Sequence, residues 1–111
     1  MYNHYWVYIL SNYTNSTLYI GVTDNLERRT LEHRSRINPG FAEKYHCDKL
    51  VYYEEFSDIN QAIDREKQLK RWSRSKKDWL IDQMNKDRDD LMKEISPLAS
   101  LGRNDNNIHL L

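Results

Sequence analysis

The 111-residue chain has few of the residues that fix or loosen a backbone: one cysteine, two prolines and three glycines. A single cysteine, Cys47, excludes an intramolecular disulfide framework and is typical of a reducing compartment. So little glycine and proline excludes collagen-like sequence and long flexible linkers. No run approaches the roughly 18 apolar residues of a membrane helix, and the N-terminus lacks the features of a signal peptide. We therefore expect a cytoplasmic protein with no membrane partner.

Charge of one sign is not in excess either. Seventeen basic residues balance seventeen acidic ones, and the pI is about 6.9, so the total charge does not indicate a nucleic-acid-binding protein. The distribution is uneven, however. Residues 61–80 hold seven basic and three acidic residues, a net charge of +4, whereas residues 82–111 hold four basic and six acidic ones, a net charge of −2. The balanced total therefore conceals a basic middle segment.

The apolar pattern predicts an α+β domain in residues 1–95 and a disordered C-terminal tail in residues 96–111. Two aromatic and β-branched runs, 5–10 and 18–22, flank turn-forming residues and predict an antiparallel hairpin. A third strand is predicted at 50–56. Helices are predicted from a cap at Thr23 or Asp24 to about Ile37, from Ser57 or Asp58 to about Trp72, and from Ser75 to Met84, with one or two further turns within 87–95. The order is ββαβαα, a small three-stranded antiparallel sheet flanked by helices.

The hairpin holds two tyrosines on one predicted face. Side chains alternate along a strand, so Tyr8 shares a face with Trp6 and Leu10. Symmetrical pairing about a six-residue loop predicts Tyr8 opposite Tyr19 and Trp6 opposite Gly21. Two phenols would then stand beside a glycine that leaves the surface open. An ordinary aromatic cross-strand pair with a bulge glycine explains the same residues, and this pattern alone favours it.

Polar residues also occupy helix positions where the period requires apolar ones. Arg29 and His33 lie on or beside the stripe of the first predicted helix that should face the sheet. Arg29 is also explained by an aliphatic stem at the core edge. For His33, a hydrogen-bonded and partly buried imidazole is the favoured explanation. Glu66 lies on the apolar stripe of the second helix, although carboxylates are rarely buried without a partner or a metal. It is therefore either a rim residue that pairs with Arg65 or Lys70, or part of a pocket.

Taken together, these residues suit phosphodiester chemistry. Two tyrosines, an arginine, a histidine and a carboxylate from three elements are predicted to converge on one sheet face. Glu66 could bind a divalent metal, and Arg29 could neutralise phosphate charge. The basic segment would contact the nucleic-acid backbone. The candidate nucleic-acid contacts are Gly21, Arg65, Lys70, Arg71, Arg74, Lys76 and Lys77.

The same residues carry a resemblance to the GIY-YIG nuclease superfamily. WVYIL resembles its first half-motif and LYIGV its second, and Arg29 and His33 follow at the family's spacing. AIDREKQLKRW resembles the segment that bears the family's metal-binding glutamate, which corresponds to Glu66. The segment SRSKKDWLI is similar to small standalone bacterial members, which are akin to the nuclease domain of the excision-repair subunit UvrC. The chain departs from the pattern at Trp6, where the family name has glycine. It also departs at Asn85, the candidate for a bracing asparagine, which lacks the proline and tryptophan that often accompany it.

The resemblance implies metal-dependent hydrolysis of phosphodiester bonds, with Mg²⁺ or Mn²⁺ on Glu66 and DNA as the expected substrate, in repair or processing. It implies that Tyr8 acts as the general base or orients water, and that Tyr19 positions the phosphate or the nucleophile. Arg29 would stabilise developing charge, and His33 would assist through a hydrogen bond. A separate protein would supply targeting.

Two other interpretations stay open. The first is a nucleic-acid-binding module that keeps the fold with little or no cleavage, which the balanced total charge favours. The second is a metal site built on His46, Cys47 and a distant histidine, which rests on two adjacent residues alone. A purely structural role leaves the convergence of Tyr8, Arg29 and Glu66 unexplained.

Overall fold

A three-stranded antiparallel sheet in the order β2-β1-β3 forms the centre of the fold. The computed structural model describes residues 3–35 and 46–95, so the predicted tail and the predicted end of the first helix lie outside the described residues. The elements are β1 (Tyr5–Ser11), β2 (Leu18–Thr23), α1 (Leu26–Ser35), β3 (Lys49–Phe56), α2 (Ile59–Arg71), α3 (Arg74–Asn85) and α4 (Met92–Ile95). The predicted α+β class and strand–helix order are confirmed, with α4 as the further turn. Across the described residues, every helix is too short or too polar to cross a bilayer.

The central strand β1 divides the core in two because its side chains alternate between the sheet faces. On one face lie residues of β1, α2 and α3: Val7, Ile9, Ala62, Leu69 and Ile81. On the other face lie residues of β1, α1 and the segment before α4: Tyr8, Leu10, Leu26 and Leu91. The sheet is therefore covered by helices on both faces, and the two layers hold different candidate site residues.

Short polar side chains begin the helices. Asp58 and Ser73 cap α2 and α3 by accepting backbone N–H groups two and three residues further on, at 2.8 and 3.2 Å. Asn25 caps α1, because its Oδ1 accepts the backbone N–H of Arg28 at 2.9 Å. The expected cap at Thr23 or Asp24 is therefore wrong. The Thr23 hydroxyl binds the N–H of Asn25 instead, at 3.1 Å, and Asp24 forms an ion pair on the helix surface.

The hairpin register differs from the expected one by two residues. Tyr8 pairs with Gly21, and Leu10 pairs with Tyr19. The expected pairing of Tyr8 with Tyr19 and of Trp6 with Gly21 is therefore wrong. Because a shift of two residues preserves the period of a strand, both tyrosines still point to the same face.

The hairpin loop explains this register. Ser11 is buried in β1 and pairs with Leu18, so the loop spans residues 12–17 rather than 11–16. The Asn12 Oδ1 accepts the backbone N–H groups of Ser16 and Thr17 at 2.9 and 3.1 Å. An asparagine that binds backbone groups a few residues on mimics a backbone turn, so Asn12 fixes the point at which the strands separate.

The edge strand β3 is held by the segment that follows α3. A β-bulge at Val51 interrupts its pairing with β1, and the Asn85 Nδ2 donates to the Val51 carbonyl at 3.2 Å. The Leu50 carbonyl accepts the N–H of Leu91 at 2.8 Å, and the Leu50 N–H donates to the Asp90 carboxylate at 3.3 Å. Backbone groups of an edge strand need such partners, so this segment completes the sheet.

Replacing Asn85 by alanine should lower the free energy of unfolding by about 1–3 kcal/mol, because the buried Val51 carbonyl loses its donor. The Asn85 side chain also binds the backbone of Asp89 twice, at 2.7 and 2.9 Å. Urea unfolding would measure the loss. Asn60→Ala, at an exposed position of α2, is the matched control and should change stability by less than about 0.5 kcal/mol. Equal losses in the two variants would contradict the bracing role of Asn85.

Candidate active site

The Tyr8 ring lies across its β2 partner, Gly21. A Cβ at Gly21 would lie 2.5 Å from the Tyr8 hydroxyl oxygen and 2.6 Å from its Cζ. Tyr8 is accordingly 1% exposed, and Gly21 is buried beneath it. The expectation of an open surface at Gly21 that nucleic acid contacts is therefore wrong, because the phenol fills that space.

Tyr8 meets a histidine from α1. Its hydroxyl lies 3.2 Å from the Nε2 of His33, a buried residue. The Tyr19 ring completes the cluster, with its centroid 5.3 Å from that of His33 in an edge-on arrangement and 6.3 Å from that of Tyr8. Burial, aided by the nearby Arg29 charge, lowers the pKa of His33 below its usual value. A neutral imidazole with its proton on Nδ1 can accept the Tyr8 proton at Nε2.

Arg29 brings a positive charge to the same cluster. Its Nη1 donates to Glu32 at 3.3 Å. Its Nε is buried and has no hydrogen-bond partner among residues 3–35 and 46–95. An unpartnered buried N–H of a charged group is costly and calls for an explanation, and an anionic ligand is one. Sequence reasoning missed Glu32, although its spacing of three residues from Arg29 is the signal for such a pair.

The surroundings of Tyr8 keep it protonated. Burial raises the pKa of Tyr8 to about 12, the hydrogen bond and charge of Arg29 lower it in part, and Tyr19 and Glu66 raise it further. At neutral pH Tyr8 is therefore a phenol that can donate and accept hydrogen bonds. A phenolate base does not accumulate there.

Glu66 lies on a helix that covers the face of the sheet opposite to Tyr8. Its helix, α2, packs on the Val7 face of the sheet through Ala62 and Leu69, whereas Tyr8 lies on the opposite face. The helix of Glu66 therefore belongs to the opposite layer, and the convergence of all five side chains stays a prediction. Its side chain is 19% exposed and its carboxylate lies 3.1 Å from the Lys70 ammonium. Its charge nevertheless contributes to the raised pKa of Tyr8, so Glu66 is within electrostatic reach of the phenol.

The donor chemistry fits one kind of metal. Within the described parts of the chain, no three histidine, cysteine or acidic side chains cluster as a metal cage would require. Mg²⁺ is usually held by one or two carboxylates together with water and substrate phosphate, and Glu66 supplies one carboxylate. Cys47 is fully buried, and burial raises the pKa of its thiol to about 11. Neither His46 nor Cys47 belongs to a metal-binding cluster within the described residues, so the alternative built on them has no support there.

Two of the predicted nucleic-acid contacts are engaged within the fold. Arg65 is half-buried, and its guanidinium binds the Glu54 carboxylate at 2.8 Å. Arg74 donates to the hairpin loop, including the Ser16 carbonyl at 2.8 Å. These two arginines hold α2 against β3, and α3 against the hairpin.

Four predicted nucleic-acid contacts remain: Lys70, Arg71, Lys76 and Lys77. Lys70 is the ion-pair partner of Glu66, and the Lys76 ammonium lies 4.2 Å from the centroid of the Trp72 ring. Arg71 is exposed and Lys77 is half-buried, and neither forms an ion pair within residues 3–35 and 46–95. Of the predicted contacts, those able to meet phosphate without breaking an ion pair of the described fold are therefore Arg71, Lys76 and Lys77.

The cluster of Tyr8, Tyr19 and His33 lies within a segment that matches a known domain family. The family model described as the GIY-YIG catalytic domain matches residues 4–78. The chain therefore belongs to the GIY-YIG family, as its half-motifs indicate.

Its relatives are similarly small. A UPF0213 protein from Bacillus pumilus is 33% identical over 82 residues, which cover 74% of this chain and 82% of that one. A UPF0213 protein from Natronomonas pharaonis is 38% identical over 79 residues, 71% and 91% of the two chains. The solution NMR structure of a UPF0213 protein from Bacillus halodurans matches with a TM-score of 0.52 and 26% identity, over 81% of this chain and 95% of that one. These names specify no reaction, metal or substrate.

Gly21→Ala should displace the Tyr8 ring, because its Cβ would lie 2.5 Å from the hydroxyl oxygen. Overpacking of this kind costs about 1–3 kcal/mol, which urea unfolding would measure. In a Tyr8→Ala background the same substitution should be close to neutral, since the space is then empty. An equal loss in both backgrounds would mean that Gly21 is required for another reason.

The neutral state of buried His33 predicts a loss of stability in acid. The unfolded imidazole titrates near pH 6.5, and the folded one has a lower pKa. The unfolded chain thus binds this proton first, and stability falls as the pH drops below about 6.5. His33→Gln should show a smaller fall between pH 7 and pH 5 in urea unfolding. A fall equal to that of the wild type would place the acid sensitivity at another group.

Proposed function

We propose that the chain is a divalent-metal-dependent endonuclease that hydrolyses phosphodiester bonds in DNA, with a role in repair or processing. The observation that carries this proposal is the contact of the Tyr8 hydroxyl with the Nε2 of His33, at 3.2 Å. Beside it lies the Nε of Arg29, which is buried and has no hydrogen-bond partner among the described residues. Hydrolysis of a phosphodiester requires a proton acceptor for water and positive charge near the phosphate. This cluster contains both.

In the proposed reaction, Tyr8 and His33 act together. The Tyr8 oxygen orients a water molecule and takes its proton, while the Tyr8 proton passes to the Nε2 of His33. The resulting hydroxide attacks phosphorus, and the leaving oxygen departs with the electrons of its P–O bond and takes a proton from solvent. His33, now an imidazolium, returns its extra proton to solvent. The pKa of about 12 for Tyr8 supports this concerted route, because a phenolate formed beforehand would be scarce at neutral pH. The lowered pKa of His33 keeps the acceptor nitrogen free of a proton.

Arg29 and Tyr19 receive the phosphate. The Arg29 Nε–H would donate to an oxygen of the reacting phosphate, and its charge would oppose the negative charge that develops there. Removal of one such donor typically slows a reaction by about 10²–10³-fold. Tyr19 packs against His33 and positions the phosphate or the attacking water. Arg71, Lys76 and Lys77 contact the flanking backbone phosphates.

Glu66 would hold the Mg²⁺ or Mn²⁺ ion, and Lys70 would release that carboxylate when the ion arrives. Such an ion, when bound, supplies Lewis-acid stabilisation of the phosphate oxygens. Asn85 contributes indirectly, since it braces the strand that holds Tyr53 opposite Tyr8. The balanced total charge favours a separate protein that brings the domain to its substrate.

A second candidate is a nucleic-acid-binding module that does not cleave. One observation favours it: the ion pair between Glu66 and Lys70, which engages the carboxylate that a metal would need. The two candidates differ in one measurable property, metal-dependent turnover.

The test is a cleavage assay with Mg²⁺ or Mn²⁺ on single-stranded, flapped and branched DNA and on RNA. Glu66→Gln should lower the rate by at least about 100-fold, because one carboxylate is removed from the metal. Asp64→Asn, at an exposed carboxylate on the same helix, is the matched control and should cleave like the wild type.

Each outcome decides between the candidates. Wild-type rates in Glu66→Gln would refute the metal role of Glu66. Binding by the wild type without any metal-dependent cleavage would favour the non-cleaving module. A preference for RNA would correct the substrate and leave the mechanism in place.

A further inference from the structure

A pocket of about 520 Å³ opens on the Tyr8 face of the sheet, where β1 and α1 begin and β3 ends. Its lining includes the aromatic rings of Trp6 and Tyr53, both packed against the core cluster of Tyr8, and the acidic residues Asp24 and Glu27. Pockets that hold small molecules have volumes of about 300–1,000 Å³. The space is therefore large enough for a nucleoside.

The pocket adjoins the candidate active site through the sheet register. Tyr53 lies directly opposite Tyr8 on β3, and Trp6 precedes Tyr8 by two residues on the same face. Successive residues on one face of a strand are roughly 6.6–6.8 Å apart, which is close to the reach of one nucleotide. A DNA strand that presents a phosphate to Tyr8 and Arg29 therefore brings a neighbouring nucleotide to this pocket.

The residues that line the pocket favour the binding of a base over the binding of a phosphate. Among the described residues, no lysine or arginine lines the pocket. Its two carboxylates disfavour a phosphate, although Asp24 also pairs with Arg28 at 3.0 Å. Carboxylates accept hydrogen bonds from the amino groups of bases, and aromatic rings stack on bases. The Trp6 ring already accommodates a flat partner, since the His4 ring stacks on it with centroids 5.8 Å apart and planes 22° apart.

We propose that this pocket binds an unpaired nucleobase bearing an exocyclic amino group, next to the phosphodiester that the site cleaves. The inference rests on the proposed function and narrows its substrate to DNA that is single-stranded or easily opened at the cleaved position, because a base must leave the stack to enter a pocket. It also assigns a base-stacking role to Trp6, the residue at which the chain departs from the glycine of the family name.

The test measures binding without divalent metal, so that no strand is cut. Labelled single-stranded oligonucleotides carry one abasic site, moved one nucleotide at a time, and affinity is read by fluorescence anisotropy. One position should show a loss of about tenfold, the typical contribution of a stacked base. Trp6→Ala should weaken binding of the intact strand by a similar factor and abolish the effect of that abasic site.

Matched variants distinguish base binding in the pocket from a general loss of affinity for DNA. Trp79→Ala removes an exposed tryptophan on α3 and should keep the position dependence, and Trp6→Phe should restore part of it. At the sensitive position, thymine should bind more weakly than cytosine in the wild type. The double variant Asp24→Asn with Glu27→Gln should remove that difference.

The outcomes distinguish this proposal from the nuclease function. An abasic series without a sensitive position, or a sensitive position that survives in Trp6→Ala, would overturn the pocket. Metal-dependent cleavage, together with equal affinities across the abasic series, would overturn the proposed base pocket and leave the nuclease function in place. A sensitive position in a protein that never cleaves would leave the pocket in place and overturn the nuclease.

Discussion

The contact between the Tyr8 ring and Gly21 determines the geometry of the site. Only a residue without a side chain lets the phenol cross β2 at this distance, and this crossing brings its hydroxyl to His33. Because Tyr8 lies on the central strand, its ring is fixed by neighbours on both sides and by α1 above. The glycine of the second half-motif is thus a steric requirement of the tyrosine in the first.

Charges near the site are neutralised within the fold. Arg29 binds Glu32, and Glu66 binds Lys70. These pairs lower the cost of holding ions in a partly buried place. Among the described residues, the Arg29 Nε still has no hydrogen-bond partner, despite the ion pair of its guanidinium with Glu32.

Much of the fold was predictable from sequence, because strands and helices follow from alternation, period and capping residues. Arg29, His33 and Glu66 were identified because they interrupt apolar stripes. The hairpin register was not predictable, because both registers bury the same face and the bonds of Asn12 select between them. The face that the helix of Glu66 covers was not predictable for a related reason. A stripe indicates that a helix faces a sheet but not which face it covers.

The bonds that Asn85, Asp90 and Leu91 make to β3 bear on where the domain ends. The family match stops at residue 78, but the edge strand obtains its outward hydrogen bonds from residues beyond it. The segment that the family model matches is therefore shorter than the unit that folds. A fragment cut at the family boundary would leave β3 with open backbone groups, a template for pairing with other chains.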